Sequence, residues 1–165
     1  MKRIALLILL SFISIPAYSV EVKGVYDALV PIAGQESEER DVALQLGFVD
    51  VLVRATGDIF IADEPLIQPE IKKVAKYVSR FQYQENKHEG ALTRNSLYIK
   101  FDKGAIANLL REKGLPVWPS NRPEVLVWIA VEDGSNRYIL SPDSDPAIRD
   151  ELIRIAKKRG VPVLT

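Results

Sequence analysis

The sequence has no cysteine, a single histidine and a single methionine. Without cysteine there can be no disulfide, no thiol nucleophile, no thiolate metal site and no lipid-carrying residue of the lipoprotein kind. One histidine cannot form a His-x-x-x-His pair, so the usual transition-metal ligands are missing and no cofactor is implied. That residue, His88, sits between Lys87 and Glu89 in the polar stretch "ENKHEGALTRN". Nothing local orients it as a general base, and it reads as a surface-loop residue. An excess of one charge is also lacking, because 22 Lys and Arg balance 22 Asp and Glu. A neutral chain carries no footprint for a nucleic-acid backbone. There is no Gly-x-Ser-x-Gly elbow and no glycine-rich phosphate loop. The run "DSDP" ending at Pro146 lacks the glycine and terminal glutamate of a calcium loop.

What remains for catalysis is carboxylates. Asp58, Asp63 and Glu64 cluster after a long helical pattern, and Asp143 and Asp145 precede the last one. Two carboxylates can run glycoside hydrolysis, but spacing in sequence does not set spacing in space. The balance leans away from an enzyme.

Long hydrophobic runs are scarce too. Ile4–Ile15 is the main one, preceded by Lys2 and Arg3 and followed by Pro16 and the small-residue site Ala17-Tyr18-Ser19. It falls short of the ~20 residues that span a bilayer as a helix. The pattern is that of a secretory signal peptide over residues 1–19, cleaved after Ser19. A periplasmic protein with no transmembrane segment after cleavage is expected.

The rest of the chain is well patterned. Val22, Tyr26, Ala28, Val30 and Ile32 predict a strand from Val20, with Gly24 as a bulge. Ser37 is placed to cap a long helix that has Glu38 and Glu39 in its first turn and Gly57 as its left-handed terminator. This helix carries two apolar stripes, Leu44–Phe48–Val51–Leu52 and Val42–Leu46–Val49–Val53, which predict a helix sandwiched between layers. Gly47, ~1 kcal/mol worse than alanine in a helix, predicts close packing against a neighbour. A second helix is expected over 69–79, with Ile71, Val74, Ala75 and Val78 inward. The runs "RFQYQ" and "SLYIKF" predict a long-looped hairpin, and Asp102 caps a third helix with Ile106, Leu109 and Leu110 inward. The first unit, residues 20–114, is therefore α+β, ordered β-α-α-β-β-α, with helices on one face of a small antiparallel sheet.

Residues 115–124, "LPVWPSNRPE", form a proline-rich linker. Trp118, Asn121 and Arg122 are the binding candidates, since Trp and Arg can anchor a partner or a carbohydrate-like ligand. The alternative is a rigid joint with Trp118 packed between units. Arg54 has two readings as well, a surface pair with Asp50 or an anion contact near Thr56 and Gly57.

Residues 125–165 predict the start of an α/β unit. "VLVWIAV" reads as a strand buried on both faces, with Trp128 inside it. Asp133–Asn136 is a turn, Asp145 and Pro146 open a helix that Gly160 ends, and "VPVLT" begins a parallel strand. Two strands and one helix do not make a stable domain alone. Either the chain is a piece of a longer one or this unit docks on the first. "EKGLPVW" and "KRGVPVL" echo one another, and shared helix-ending chemistry explains them more simply than a repeat.

Taken together, "ALQLGFVDVLVRATG", "VSRFQYQ", "LYIKFDKGAIANLLREKGLPVWPSNRPEVLVWIAVEDG" and "KKRGVPVL" resemble the exported proteobacterial domain-of-unknown-function family 2066. The likeness covers nearly all of the chain after residue 19, and Gly114–Val131 is its most specific stretch. Family members look longer, which implies a C-terminally short chain here. The resemblance implies no activity, substrate or catalytic residue. The function expected is a non-enzymatic envelope assembly, scaffold or partner-binding module. A small-ligand-binding protein using the crevice at the carboxyl end of "VLVWIAV" comes second, and an envelope hydrolase third.

Overall fold

The computed structural model describes residues 20–86, 94–141 and 145–164. The expected leader, His88 and Asp143 lie outside these. The described chain is a mixed α+β fold. A three-stranded antiparallel sheet is built from β2 (Asp27–Ile32), β3 (Val78–Asn86) and β4 (Arg94–Phe101) in the order β2-β4-β3. Its register sets Val30 opposite Leu97 and Leu97 opposite Tyr83, with Ala28, Ile99 and Phe81 aligned one step along. Period-two alternation then sends Ala28, Val30, Leu97 and Ile99 to one buried face and leaves Leu29 and Lys100 in solvent on the other.

The buried face is covered by α1 (Ser37–Thr56). Leu44, Phe48, Val51 and Leu52 are all buried against the sheet, so the first apolar stripe is the core stripe. Phe48 stacks on Tyr77 at 4.9 Å between centroids and leans on Phe101 at 5.8 Å. Burying such a ring stabilises the fold by about 1.5–3 kcal/mol. Gly47 explains how closely helix and sheet approach. A methyl group there would stand 2.8 Å from Ile99 Cδ1 and 3.0 Å from Ala28 Cβ. Gly57 ends the helix at φ 80° and donates its N–H to the Val53 carbonyl.

Several boundaries differ from the sequence expectations. The first strand is split. β1 (Val20–Glu21) pairs with β5 (Asn121–Arg122), and Gly24, at φ 72°, belongs to a turn rather than a bulge. The cap position of α1 is Glu36, which makes no side-chain cap bond, and Ser37 is the first helical residue. The expected helix over 69–79 is replaced by a short α2 (Gln68–Ile71) and a separate 3-10 turn at Val74–Tyr77, after which β3 begins. Its buried positions are Ile67, Glu70, Val74 and Tyr77, while Ala75 is exposed. The buried carboxylate hid this register from the hydrophobic pattern. Glu70 accepts from the Tyr77 hydroxyl and pairs with Lys76 Nζ, each at 2.5 Å. The Lys76 and Tyr77 hydrogen bonds hold its carboxyl below the usual range, outweighing the opposite pull of burial.

The third helix, α3 (Lys103–Glu112), follows expectation, with Asp102 Oδ1 accepting from Ala105 N at 2.7 Å and Ile106, Leu109 and Leu110 buried. The last helix, α4 (Pro146–Arg159), does too, with Asp145 Oδ1 accepting from Ile148 N. Both echoed stretches are Schellman endings. Gly114 and Gly160 adopt φ 67° and 68°, and the next N–H returns to the helix, from Leu115 to Leu110 and from Val161 to Ala156.

The second unit departs most from expectation. The run "VLVWIAV" is not one buried strand. β6 (Val125–Leu126) pairs in parallel with β9 (Val163–Leu164), giving the expected strand–helix–strand unit around α4. Residues 127–129 are outside any strand, and β7 (Ala130–Asp133) turns through Gly134 and Ser135 into β8 (Asn136–Ile139). Trp128 is 72% exposed rather than in a strand core. The unit does dock on the first. α4 packs against α1, Ala156 and Gly160 are buried, and Ile155 shares a crevice with Val49, Val53 and Ile59. The second stripe of α1 is therefore covered at its C-terminal half only, and Val42 and Leu46 stay in solvent.

Candidate functional site

The joint between the units is built around Arg122, whose exposure is 0%. Its guanidinium meets carbonyls from three parts of the chain. Nε donates to Pro119 O at 2.8 Å, Nη1 to Gly160 O at 2.5 Å, and Nη2 to Arg54 O at 2.6 Å and Trp118 O at 3.1 Å. The same cation lies over the Trp118 ring, 4.0 Å from its centroid. Arg54 O belongs to the last turn of α1 and Gly160 O to the end of α4. Carbonyls there have no intrahelical partner and mark the negative end of the helix dipole. One guanidinium thus closes the C-termini of two helices, and that is how a buried cation is held by carbonyls alone.

The neighbours are shaped to the same end. A Cβ at Gly160 would fall 2.4 Å from Arg122 Nη1 and 3.3 Å from Arg54 Cβ, so glycine is needed there for space as well as for its left-handed backbone. The Trp118 ring packs over Gly57, and its backbone N–H donates to Ala55 O at 2.6 Å. Arg54, part-buried, donates to Val25 O at 3.2 Å and Asp27 O at 2.5 Å. Its guanidinium is thus used on the turn before β2, which replaces both earlier readings of that residue. Burial lowers the pKa of both arginines. For Arg54, the charges of Asp50 and Asp27 oppose the fall; for Arg122 the ionisable Tyr26 hydroxyl opposes it and the Arg54 charge adds to it. Both stay charged, as arginine does in proteins.

Of the three binding candidates, Arg122 is wholly buried, with its guanidinium on carbonyls of the chain itself and not on the exposed surface where the sequence reading set it. Trp118 is half-buried between Gly57 and Arg122, as the rigid-joint alternative has it. Asn121 is exposed, in strand pairing with Glu21. The carboxylate cluster does not form a built site. Asp58 and Asp63 are exposed, and Asp58 Oδ1 accepts from Phe60 N in a local turn. Among the described residues no group of three or more His, Asp or Glu could hold a metal ion, and no helix is long and apolar enough to cross a membrane.

The open surface lies elsewhere. Leu126 and Leu164 end the two parallel strands, and beyond them is a crevice of about 190 Å³. Val127, Trp128, Ile129, Leu140 and Leu152 line it, with Ser141 and Arg149 as its polar groups. It lies at the carboxyl ends of β6 and β9, inside the run "VLVWIAV" rather than beyond its carboxyl end, where the sequence alone places a crevice. Of its lining, Trp128, Leu126 and Leu164 expose large apolar side chains to solvent. Sequence reasoning missed Trp128 because continuous apolarity reads as burial, and only the two-residue length of β6 brings the ring to the surface.

The family model "Domain of unknown function (DUF8605)" matches residues 19–119. The chain belongs to this family. DUF8605 spans the sheet, α1 to α3 and Trp118, and its match stops before Asn121, Arg122 and the second unit. The expectation of an uncharacterised domain stands at that level, under a different family number from the one the sequence resembles. Neither among curated proteins nor among solved structures does the chain find a match.

Proposed function

We propose that this DUF8605 chain is an exported, non-enzymatic partner-binding module whose docking surface is the β6–β9 unit. One observation carries the reading. Trp128, at 72% exposed, lines one crevice with Leu126 and Leu164, which are likewise large, apolar and in solvent. Exposed apolar clusters of this kind mark interaction surfaces. Parallel strands are ordinarily covered on both faces, and a two-residue pair leaves strand edges able to accept a further strand. The occupant that fits is an extended, apolar strand of a partner protein, held by main-chain hydrogen bonds and by the crevice. Export is supported by the apolar leader pattern of residues 1–19.

A small ligand in the same crevice is the second reading, favoured by its place at the carboxyl end of parallel strands and by Arg149 and Ser141. Its size argues against enclosure. At about 190 Å³ it is smaller than the ~300–1,000 Å³ of ordinary ligand pockets.

Single-tryptophan fluorescence separates the two. In Trp118→Phe, Trp128 is the sole reporter. Titration with a periplasmic extract split by size should give a saturable blue shift from the protein fraction and none from the metabolite fraction. A shift from metabolites alone would establish the ligand reading instead, and silence from both fractions would contradict partner binding.

A further inference from the structure

The outer face of α1 carries a second, independent surface. Val42, Leu46, Val49 and Val53 recur at i, i+4, i+7 and i+11, a single ridge whose C-terminal members Val49 and Val53 also pack on the core. Its C-terminal half already lies against a helix, α4, with Ile155 across a crevice from Val49 and Val53, and that helix ends in Lys157, Lys158 and Arg159. Its N-terminal half has no cover among the described residues, and Val42 and Leu46 are 56% and 55% exposed. There the ridge forms one wall of a groove of about 370 Å³, with Pro31, Ile32 and Ala33 opposite, Glu38 exposed at its edge and Glu39 part-buried there, its carboxylate accepting from Gly34 N. Glu36 adds a third carboxylate just before the helix. The nearby cation Arg40 is directed elsewhere, towards Asp41 and the Phe81 ring.

We propose that this groove docks an amphipathic basic helix of a partner protein, laid along Val42 and Leu46 as a continuation of the α1–α4 interface. The ridge selects a helical occupant because it is the pattern that already packs one, and ridge-into-groove packing needs apolar residues on the incoming helix at the same spacing. The acidic rim selects basic flanks, and it disfavours a second copy of α1 because that would bring Glu38 and Glu39 against like charge. The surface lies within the residues matched by DUF8605, whereas the Trp128 crevice lies outside them.

The test uses a labelled helical peptide of about 18 residues, five turns, with leucine at i, i+3, i+4 and i+7 and lysine on both flanks. Fluorescence anisotropy on the purified chain at low salt should show saturable binding. The Val42→Ser/Leu46→Ser double variant should weaken it at least about tenfold, Glu36→Gln/Glu38→Gln should weaken it and flatten its salt dependence, and Trp128→Ser should leave it unchanged. That last arm separates this groove from the β6–β9 surface. The proposal is overturned by equal affinity for a peptide with glutamate flanks, by indifference to the double variant, or by no saturable binding. Both faces are exposed, so these variants should fold, and their unfolding midpoints check that.

Discussion

Arg122 carries its charge between the C-terminal ends of two helices, and few substitutions should hurt the molecule more. Arg122→Ala strands carbonyls of Pro119, Trp118, Arg54 and Gly160. Each buried acceptor left without a donor costs about 1–3 kcal/mol, so a loss of about 3–5 kcal/mol is expected in urea unfolding. Arg122→Lys keeps the charge but not the fork, and about 2 kcal/mol should still be lost. Gly160→Ala meets both a left-handed backbone and the Arg122 guanidinium, and should cost more than the ~1–2 kcal/mol of the backbone term alone. Trp118→Ala removes a half-buried ring and should cost about 2–3 kcal/mol. Nothing local in "PSNRPE" distinguishes a buried arginine from a solvent-facing one. Its acceptors lie up to 68 residues away in sequence, and that long-range closure is the part of the joint no local pattern encodes.

At the scale of elements, Gly47 and Glu70 give opposite lessons. Gly47 was legible, because a glycine inside a strongly apolar helix pattern implies a close neighbour, and Ile99 and Ala28 are that neighbour. Gly47→Ala should gain ~1 kcal/mol of helix propensity and lose more to overpacking, about 1–3 kcal/mol, for a net lower unfolding midpoint. Glu70 was illegible, because a buried carboxylate breaks the apolar period that marks a helix face, and its partners Lys76 and Tyr77 become neighbours only once the segment bends. Folding lowers its pKa, so the folded state binds fewer protons than the unfolded chain. Its stabilisation is complete above the unfolded value of about 4.3 and is lost as pH falls through the lower folded value. Unfolding measured against pH should therefore show a steeper acid limb for the parent than for Glu70→Gln. Equal limbs would remove Glu70 from the account. Caps and stops were the easiest to read, since Asp102, Asp145, Gly114 and Gly160 act within one turn of their own position.

For the whole molecule, the order of elements in the first unit and the parallel pairing in the second followed from periodicity, but burial in the second unit did not. A run such as "VLVWIAV" states that it needs cover without stating what supplies it. Here α4 covers part of α1, and the strands keep their outer surface open. Trp128→Ser should leave stability within about 0.5 kcal/mol, as for an exposed position with few contacts, whereas Trp118→Ala should not. The central claim is that the partner surface lies around Trp128 and that the proline-rich joint is structural. It is tested most directly by photo-crosslinking in cells from position 128 and from position 118 in parallel. The account predicts one discrete protein captured from 128, lost when Leu164→Asp is added, and no such adduct from 118. Capture from 118 with none from 128 would contradict it.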